Sequence, residues 1–411
     1  MNILKNYAYT LLLLAGILIG GICGVVFGED TVIVKPIGDV FLNLMFVLIV
    51  PLVFFSISSA ICNMKLMNTV GKVIGNIIFV FICMSIVGAI LAYVVMWIYN
   101  PLENIDKTLI VENLPQQQIN SNLLSGELFV NTFTVSDFLD LFTKANLLPL
   151  IIFSILFGLA VSYSGEKGKK MSGMLDACSH VIMKMMGIIM YAAPIGLGCY
   201  FADTVGKIGG QVIGGYMHVF IMYMILTVIC FFGLNSLYMY LAGGKKAFVA
   251  FWRNILTPSL TAIATSSSAA CIPINIEASQ KMGIPAAIAE TVIPLGTNMH
   301  KNGSIIGGVI KIMFLFTLFG HETITFSTAL MIIGVSLLVG AVVGAIPSGG
   351  MTGEILICSV FGFSPELVGT LMIISTITDV PATLLNSTSN VTGAVLTTRL
   401  SEGKNWVKRI E

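Results

Sequence analysis

The sequence predicts an all-α protein that crosses a membrane several times. Of its 411 residues, 56% are hydrophobic and only 10% are charged. Apolar runs of about 20 residues recur along the chain, and this is the length that a helix needs to cross the hydrocarbon core of a bilayer. A membrane β-barrel is excluded, because its strands are short and alternate in polarity. The formal net charge of +1 gives no indication of nucleic-acid binding.

Eight of the apolar runs are long enough to span the bilayer. They lie at residues 8–28, 39–61, 73–99, 135–163, 176–204, 210–241, 286–319 and 366–397. The first run begins like a signal peptide, but it is long and no A-x-A-type cleavage site follows it. We therefore interpret it as the first transmembrane helix.

Basic residues orient these spans. They mark loops after the second, fourth and sixth spans and the C-terminal end: Lys65 and Lys72, then Lys167, Lys169 and Lys170, then Lys245, Lys246 and Arg253, then Arg399, Lys404, Lys408 and Arg409. By the positive-inside rule both termini are cytoplasmic. The loops alternate correctly between the two sides of the membrane only if two further apolar stretches do not cross it. These stretches, 250–282 and 321–361, would each enter and leave on the same side. We predict that both are re-entrant hairpins, the first starting inside and the second outside.

The tips of the two predicted hairpins are polar and rich in small residues. They read ATSSSAACIP at 264–273 and GAIPSGGMTGE at 344–354. Serine and glycine allow backbone amides to face a ligand, and helix N-termini favour its negative group. Each hairpin is followed by a span with a polar interruption, at 297–304 and at 379–393. A hairpin followed by an interrupted helix, twice and from opposite sides, is typical of the inverted repeats of secondary transporters.

A polar stripe runs along the last span. Asp379, Thr383, Asn386 and Asn390 follow one another at steps of four, three and four, so they share one helix face. A carboxylate in the middle of a span is costly and indicates a functional site. The structural alternative is an ion pair of Asp379 with a lysine, Lys301 or Lys311.

Six segments resemble, in this order, the dicarboxylate/amino acid:cation symporter family, which includes the glutamate transporters. They are NLMFVLIVPLVFFSIS, LPLIIFSILFGLAV, YAAPIGL, SSSAACIP, the PLG…NG of the seventh span and the N…T.N.TG of the eighth. The resemblance covers about residues 35–400. It implies a multi-pass homotrimer in the cell inner (cytoplasmic) membrane, in contact with the lipid bilayer.

The resemblance also implies an elevator mechanism, in which a transport domain slides past a fixed scaffold and the hairpin tips act as gates. Residues 1–72 and 135–206 would form the scaffold. Residues 73–134, with the third span and a long extracytoplasmic loop, and residues 207–411 would belong to the transport domain.

The family pattern assigns a substrate site. The residue at Asp379 would hold the α-amino group of the substrate, and Thr383 and Asn386 would bind its backbone. The hairpin tips would supply the remaining contacts: Ser266, Ser267 and Ser268 in the first, and Ile346, Pro347, Ser348 and Gly349 in the second. An α-amino acid is therefore implied, although the triple serine could also be a helix-capping loop.

The recognition of the substrate side chain departs from the family pattern. Members with acidic substrates carry an arginine one residue before the matching threonine, and this chain has Ala382 there. Arginine is the usual bidentate clamp for a carboxylate, so its absence favours a neutral amino acid. Glu354, just past the second tip, would favour a cationic or polar side chain if it faces the site; otherwise it lies at an interface.

Cation coupling departs further from the pattern. The family motif in the seventh span is NMDGT, and its aspartate binds sodium. If the glycine of the motif is aligned with Gly303, then His300, Lys301 and Asn302 stand at its Asn, Met and Asp positions. Alternatively, Asn298 begins the motif and the next polar residues are a local shift. Neither alignment keeps the carboxylate. Asn390 stands at the second sodium-binding aspartate.

These changes argue against sodium and for protons. Hard cations prefer oxygen ligands, and an imidazole or ammonium beside the site opposes them. We hypothesise that Lys301, together with His300, replaces sodium, and that Asn386 belongs to the same coupling set. Transport would then be coupled to H⁺ or proceed by exchange. The structural alternatives are a salt-bridging lysine and a hydrogen-bonded core histidine. No cofactor or metal is expected.

The sequence therefore predicts a secondary transporter of a small neutral amino acid, and no enzyme. It contains no HExxH, GxSxG or nucleotide-binding loop. One alternative is a carrier of a dicarboxylate or an acidic amino acid, with Lys301 as the anion clamp; Asp379 would repel such an anion. Another is a non-transporting amino-acid sensor or a channel-like protein.

Overall fold

In the computed structural model, the described part of the chain is almost entirely helical and contains no β-strand. The described residues are 2–63, 71–99, 130, 134–143, 146–208, 211–319, 325–342 and 349–410. Most of the acidic segment 100–134 lies outside them.

The α-helices follow one another along the chain with short connections. They are α1 (Asn2–Phe27), α2 (Lys35–Asn63), α3 (Gly71–Ile98), α4 (Phe138–Leu141), α5 (Leu147–Tyr163), α6 (Gly165–Met190), α7 (Ala193–Ile208), α8 (Gln211–Val228), α9 (Asn235–Asn254), α10 (Leu256–Thr265), α11 (Ile272–Lys281), α12 (Ala286–Met299), α13 (Asn302–Leu318), α14 (Phe326–Val342), α15 (Gly349–Phe361) and α16 (Leu367–Glu402). Gly28–Val34 and Gly403–Arg409 form 3₁₀ turns, and Ile229–Leu234 is a π-helical segment.

Six stretches of the described helices are long and apolar enough to cross a membrane. They are Leu11–Ser59, Gly75–Ile98, Gly165–Met190, Ile213–Asn254, Ala286–Leu318 and Leu367–Arg409. The first has 49 residues and covers most of the first two predicted spans. Shorter apolar helices cover Pro149–Tyr163, Phe326–Ala341 and Met351–Phe361. The prediction of an all-α protein with several transmembrane helices is confirmed.

The predicted fourth span, 135–163, is wrong in its first half. A continuous helix begins only at Leu147, after the one-turn helix α4. The Asp137 side chain accepts a hydrogen bond from Leu139 N at 2.7 Å, and Asn146 donates to the carbonyl of Asp140 at 3.0 Å. These side-chain bonds satisfy the backbone in turn conformations, which compete with a helix.

The predicted fifth span, 176–204, is divided between two helices. Helix α6 already begins at Gly165, so Lys167, Lys169 and Lys170 are helical and do not lie in a loop. The helix ends at Met190, and α7 starts after two turn residues. Pro194 is the second residue of α7, where a missing N–H leaves no helical hydrogen bond unmade.

The helices pack into two groups. Helices α1, α2, α5, α6 and α7 contact one another, with α1 lying along α7. The glycines of α1 make this approach close: an added Cβ on Gly16 would meet the carbonyl oxygen of Pro194, and one on Gly20 would meet that of Gly198. Small residues at helix crossings are the usual means of close packing inside a membrane.

The second group is arranged around α16. This helix of 36 residues packs mainly against α3, the helices from α8 to α13, and α15, and it also contacts α1 and α7. Helices α10 and α11, the two arms of the first predicted hairpin, both lie against it. The second predicted hairpin contributes α14 and α15, which pack on each other, and residues 343–348 between them lie outside the described part. The stripe predicted from the sequence is thus on the central helix of the group.

The α1–α7 crossing allows a stability test. Gly20→Ala would push a methyl group into the backbone of α7, and overpacking of this kind costs about 1–3 kcal/mol. We expect a lower midpoint of thermal denaturation in detergent. The matched control is Gly187→Ala in α6, where an added Cβ meets no atom within 4 Å. Equal midpoints for the two variants would contradict the close crossing.

Candidate substrate and coupling site

The seventh predicted span is broken in its middle. Helix α12 ends at Met299 and α13 begins at Asn302. Between them His300 (φ −127°, ψ 95°) and Lys301 (φ −119°, ψ 82°) are extended. A break leaves helix-terminal N–H and C=O groups without partners inside the helix, so other elements must satisfy them. The predicted polar interruption is therefore a real discontinuity of the backbone.

Side chains from α8 and α16 bind the start of α13. Tyr223 Oη donates to the carbonyl of Gly303 at 2.7 Å. The backbone N–H of Ser304 donates to Asn386 Oδ1 at 3.2 Å, and Asn386 Nδ2 donates to Ser304 Oγ at 3.3 Å. An added Cβ on Gly303 would collide with the backbone of Ala382, so glycine is needed here for the approach to α16. The first turn of α13 is thus attached to the stripe.

His300 and Asn390 are brought into contact. His300 is fully buried and stacks on Phe81, with ring centroids 4.5 Å apart and an angle of 2° between the planes. Its Nδ1 lies 3.2 Å from Asn390 Oδ1. Two residues that the sequence assigned to coupling, from different spans, are therefore neighbours.

Several buried polar atoms around this contact have no partner among the described residues. They are His300 Nε2, Asn390 Nδ2 and Asn302 Oδ1. The Asn302 side chain lies against Gly88 of α3, where an added Cβ would meet its Oδ1. Most buried polar groups in proteins are hydrogen-bonded, so unpaired atoms of this kind require an explanation. These three side chains offer one imidazole and two neutral carboxamides. None of them supplies a negative charge to a bound cation.

Asp379 lies near the middle of α16. Its side chain is exposed, whereas Thr383 and Asn386 on the same face are buried. Its charge interacts with the ammonium groups of Lys301 and Lys311. The carboxylate and the two lysines therefore belong to one electrostatic cluster.

Lys301 is buried, with 6% of its surface exposed. Its ammonium interacts electrostatically with Asp379, but within the described part of the chain this ammonium makes neither a hydrogen bond nor an ion pair shorter than 4.0 Å. The structural alternative of a direct Lys301–Asp379 salt bridge therefore does not describe this conformation.

The serine tip of the first hairpin is a turn ordered by its own hydroxyls. Ser266 adopts a left-handed conformation (φ 46°), which is strained for a residue other than glycine. Ser267 N donates to Thr265 Oγ1 at 3.2 Å, and Ser267 Oγ accepts from Ala270 N at 3.3 Å. Ser268 is buried, and the buried Oγ of Ser266 has no partner in the described structure.

Other predicted residues lie elsewhere or are not described. Asn298 is exposed and donates to the carbonyl of Pro294 at 2.9 Å, so the structure does not join it to His300 and Asn390. Ile346, Pro347 and Ser348 lie outside the described residues. Gly349 is the first residue of α15.

The structure adds a buried ion pair that the sequence did not reveal. Lys311 on α13 pairs with Glu354 Oε1 on α15, and Ser375 Oγ on α16 donates to the same oxygen. Lys311 Nζ also donates to Ser375 Oγ at 2.5 Å. Glu354 is fully buried, so it does not lie at an exposed interface. The sequence does show a lysine and a glutamate in apolar segments. Because 43 residues separate them, nothing in the sequence indicates that they pair.

A second missed contact holds the first hairpin against α16. Asn275 Nδ2 donates to the carbonyl and the hydroxyl of Ser387, at 3.2 Å and 3.0 Å. Both residues are buried. The segment 379–393 contains more polar residues than one stripe requires, and this excess could have indicated a second polar face on α16.

An apolar crevice of about 570 Å³ lies away from these residues. Phe79 of α3, Leu241 of α9 and Leu396 of α16 are among its lining residues. Its lining includes none of the predicted site residues, so we do not assign it to the substrate.

A long apolar helix interrupted in its middle and a buried lysine–glutamate pair in the same group of helices are typical of a secondary transporter. The model of the sodium:dicarboxylate symporter family matches residues 10–400, and the chain belongs to this family. The resemblance predicted from the six segments is confirmed.

Individual relatives share about a quarter of the residues. The C4-dicarboxylate transport protein of Bacillus subtilis (strain 168) is 27% identical, over 78% of this chain and 76% of the relative. The C4-dicarboxylate transport protein 1 of Mesorhizobium japonicum is 28% identical, over 74% of this chain and 64% of the relative. The proton/sodium-glutamate symport protein of Bacillus subtilis is 25% identical, over 93% of this chain and 90% of the relative.

These comparisons decide the general function. The chain is a membrane transporter of a symporter family, and this family is not enzymatic, as predicted. The expectation of a neutral amino acid is not supported, because the relatives are named for C4-dicarboxylates and glutamate. The alternative of a dicarboxylate or acidic amino acid fits them better.

The Asn275–Ser387 contact can be tested by a truncation. Asn275→Ala leaves buried polar atoms of Ser387 without their partner, which costs about 1–3 kcal/mol. We expect a lower thermal midpoint in detergent. The matched control is Asn254→Ala, which removes only a bond to the carbonyl of Ala250 within its own helix. Stability losses of equal size would show that Asn275 does not hold the hairpin.

Proposed function

We propose that the chain is a secondary active symporter of a small dicarboxylate or an acidic amino acid. Membership of the sodium:dicarboxylate symporter family supports this proposal. So do the names of relatives that align with most of the chain. The absence of an arginine at Ala382 then requires another cation to bind the carboxylate of the substrate.

Lys301 is the observation that carries the proposal. Its ammonium is buried, has no direct ion pair among the described residues and lies within electrostatic reach of Asp379 on the stripe. A lone ammonium at membrane depth is costly, and a bound carboxylate would offset that cost. We propose that Lys301 takes the role of an anion clamp for the substrate.

A second candidate substrate is a neutral amino acid. It is favoured by Asp379, whose exposed carboxylate could hold an α-amino group, and by Ala382, which offers no charge to a substrate side chain. In this case Lys301 would balance Asp379 and not the substrate. Both substrates carry a carboxylate that the turn Ser266–Ser268 could receive, as the family pattern implies.

We propose that the chain follows the elevator architecture of its family, with eight transmembrane helices and two re-entrant hairpins. The two groups of helices support a scaffold at 1–72 and 135–206 and a transport domain at 73–134 and 207–411. We further propose a homotrimer in the inner membrane with both termini in the cytoplasm.

Coupling is proposed to use H⁺ and not Na⁺. His300 contacts Asn390, and Asn302 follows two residues later in the chain; these buried side chains supply one imidazole and two carboxamides. Sodium is bound best by oxygen ligands with negative charge, and these residues supply no carboxylate. The buried Lys301 beside them adds a positive charge that opposes a second cation.

Uptake into proteoliposomes tests the substrate. Radiolabelled succinate, aspartate and alanine are offered under separate sodium and proton gradients. We expect proton-driven accumulation of succinate or aspartate that does not change when choline replaces sodium. Accumulation of alanine alone would favour the second candidate. Binding without flux of any substrate would mean a sensor, and would contradict transport.

Lys301 is tested by a change that keeps its length and removes its charge. We expect Lys301→Met to raise the KM for an anionic substrate by about tenfold or more, equivalent to ~1.4 kcal/mol of binding. Lys207→Met, in the α7 ion pair with Asp203, is the control and should leave KM unchanged. An unchanged KM in Lys301→Met would refute the anion clamp.

The loss of sodium coupling is tested by restoring the family motif. The triple variant Lys301→Met, Asn302→Asp, Asn390→Asp removes the ammonium and returns both carboxylates. We expect sodium to stimulate its substrate binding about tenfold, whereas sodium leaves the unmodified protein unaffected. Asn298→Asp adds a carboxylate at an exposed site and should confer no sodium dependence. Sodium stimulation of the unmodified protein would overturn the proposal.

A further inference from the structure

The ion pair of Lys311 and Glu354 connects three elements of the transport domain. Lys311 belongs to α13, behind the broken backbone, and Glu354 to α15, the second arm of the second hairpin. Ser375 belongs to α16 and lies one helical turn before Asp379. The hydroxyl and the ammonium both donate to Glu354 Oε1. The pair is thus in direct contact with the helix that carries the substrate stripe.

The pair is deeply buried and incompletely bonded. The side chain of Glu354 is 0% exposed and that of Lys311 is 7% exposed. The second carboxylate oxygen, Oε2, has no hydrogen-bond partner within the described residues. An ionised carboxylate can accept about four hydrogen bonds, so the described surroundings satisfy only part of its charge. A proton on Oε2 would neutralise the carboxylate without disturbing the bonds to Oε1.

The charges of the cluster balance only when no substrate is bound. Lys301 and Lys311 contribute two positive charges, and Asp379 and Glu354 contribute two negative ones. An acidic amino acid adds one net negative charge, and a C4-dicarboxylate adds two. Excess charge at membrane depth is strongly unfavourable. One proton on a carboxylate of the cluster restores neutrality for an acidic amino acid and halves the excess for a dicarboxylate.

We infer that Glu354 binds the proton that is transported with an anionic substrate, and that Lys311 and Ser375 position it. In this step a proton from the extracellular water forms an O–H bond at Glu354 Oε2. The carboxylate loses its charge, and the Lys311 ammonium becomes available to the negative charge on the stripe. The reverse transfer, to cytoplasmic water, follows release of the substrate.

The surroundings of Glu354 favour it over the other acid of the cluster. Lys311 faces it from α13, Ser375 from α16, and Cys358 from the next turn of its own helix. Asp379 interacts with the same lysine from α16. Asp379 is exposed, whereas Glu354 is fully buried, so a ligand can contact Asp379 directly. A proton carried on Glu354 therefore leaves Asp379 ionised to hold the α-amino group of an acidic amino acid.

The inference rests on the proposed function, and the test separates the two by comparing two transport modes. Counterflow exchange of labelled for unlabelled substrate needs no net proton movement. Accumulation driven by a proton gradient needs it in every cycle. Both are measured in proteoliposomes with the substrate that the panel identifies, and a pH-sensitive dye in the lumen records proton entry.

The variants are Glu354→Gln and the double variant Lys311→Met, Glu354→Gln. The single variant leaves the Lys311 ammonium without its partner, and the double variant removes both charges together. Asp203→Asn is the matched control, because Asp203 is also a buried carboxylate that pairs with a lysine, Lys207 at 2.8 Å, but it lies on α7.

We expect Glu354→Gln, which has the charge of the protonated residue, to retain counterflow within about twofold, to lose at least about tenfold of proton-driven accumulation and to show no proton entry with substrate. The double variant also lacks the Lys311 charge that offsets the anion, so it should raise the KM for counterflow. The Asp203→Asn variant should retain all three activities. Proton-driven accumulation that persists in Glu354→Gln would overturn the inference but leave the transport function intact. Loss of counterflow together with accumulation in a folded Glu354→Gln variant would also overturn it, since the pair would then be structural. Absence of every transport mode in the unmodified protein would refute the proposed function itself.

Infrared difference spectroscopy of the unmodified protein gives a measurement that needs no variant to fold. We expect addition of an anionic substrate to produce the C=O band of one newly protonated carboxyl group, with a shift in deuterated buffer. Addition of a neutral amino acid should produce no such band. The absence of the band with a bound anionic substrate would contradict the inference. A band that persists in the Glu354→Gln variant would assign the proton to another residue.

Discussion

The arrangement of the site depends on the broken backbone at His300 and Lys301. A helix that stops at membrane depth exposes polar N–H and C=O groups, which must find partners in the protein. Asn386 provides one for the N–H of Ser304, and Tyr223 donates to the carbonyl of the neighbouring Gly303. This requirement brings α8, α13 and α16 together at one level. It thereby places the buried histidine and lysine of the break next to the polar stripe of α16.

Charge balance is the second constraint on this region. Two lysines and two carboxylates interact within one group of helices, and three of the four side chains are buried. Interactions between charges are strong in surroundings of low dielectric constant, so the binding of any charged molecule affects all four groups. A substrate anion and a proton can therefore be coupled by electrostatics alone, without a dedicated cation site. The loss of the aspartates at Asn302 and Asn390 is consistent with such a mechanism.

The sequence was reliable for features that depend on local pattern. Long apolar runs predicted helices because no other structure satisfies its backbone within a span. The spacing of Asp379, Thr383 and Asn386 predicted one helix face, and the structure shows a continuous helix there. Boundaries that depend on competing turns were less accurate. The late start of α5 follows from side-chain bonds near Asp137 and Asn146, which hydropathy does not record.

The sequence by itself determined the helical class, the position of the break and the residue types that the site contains. The tertiary structure alone decided which of these residues meet. It paired His300 with Asn390 but placed Asn298 on an exposed face. It also joined Lys311 to Glu354 across 43 residues of sequence. The reason is physical: periodicity defines the faces of a single helix, whereas contacts between helices depend on packing and on the need to compensate charges away from water.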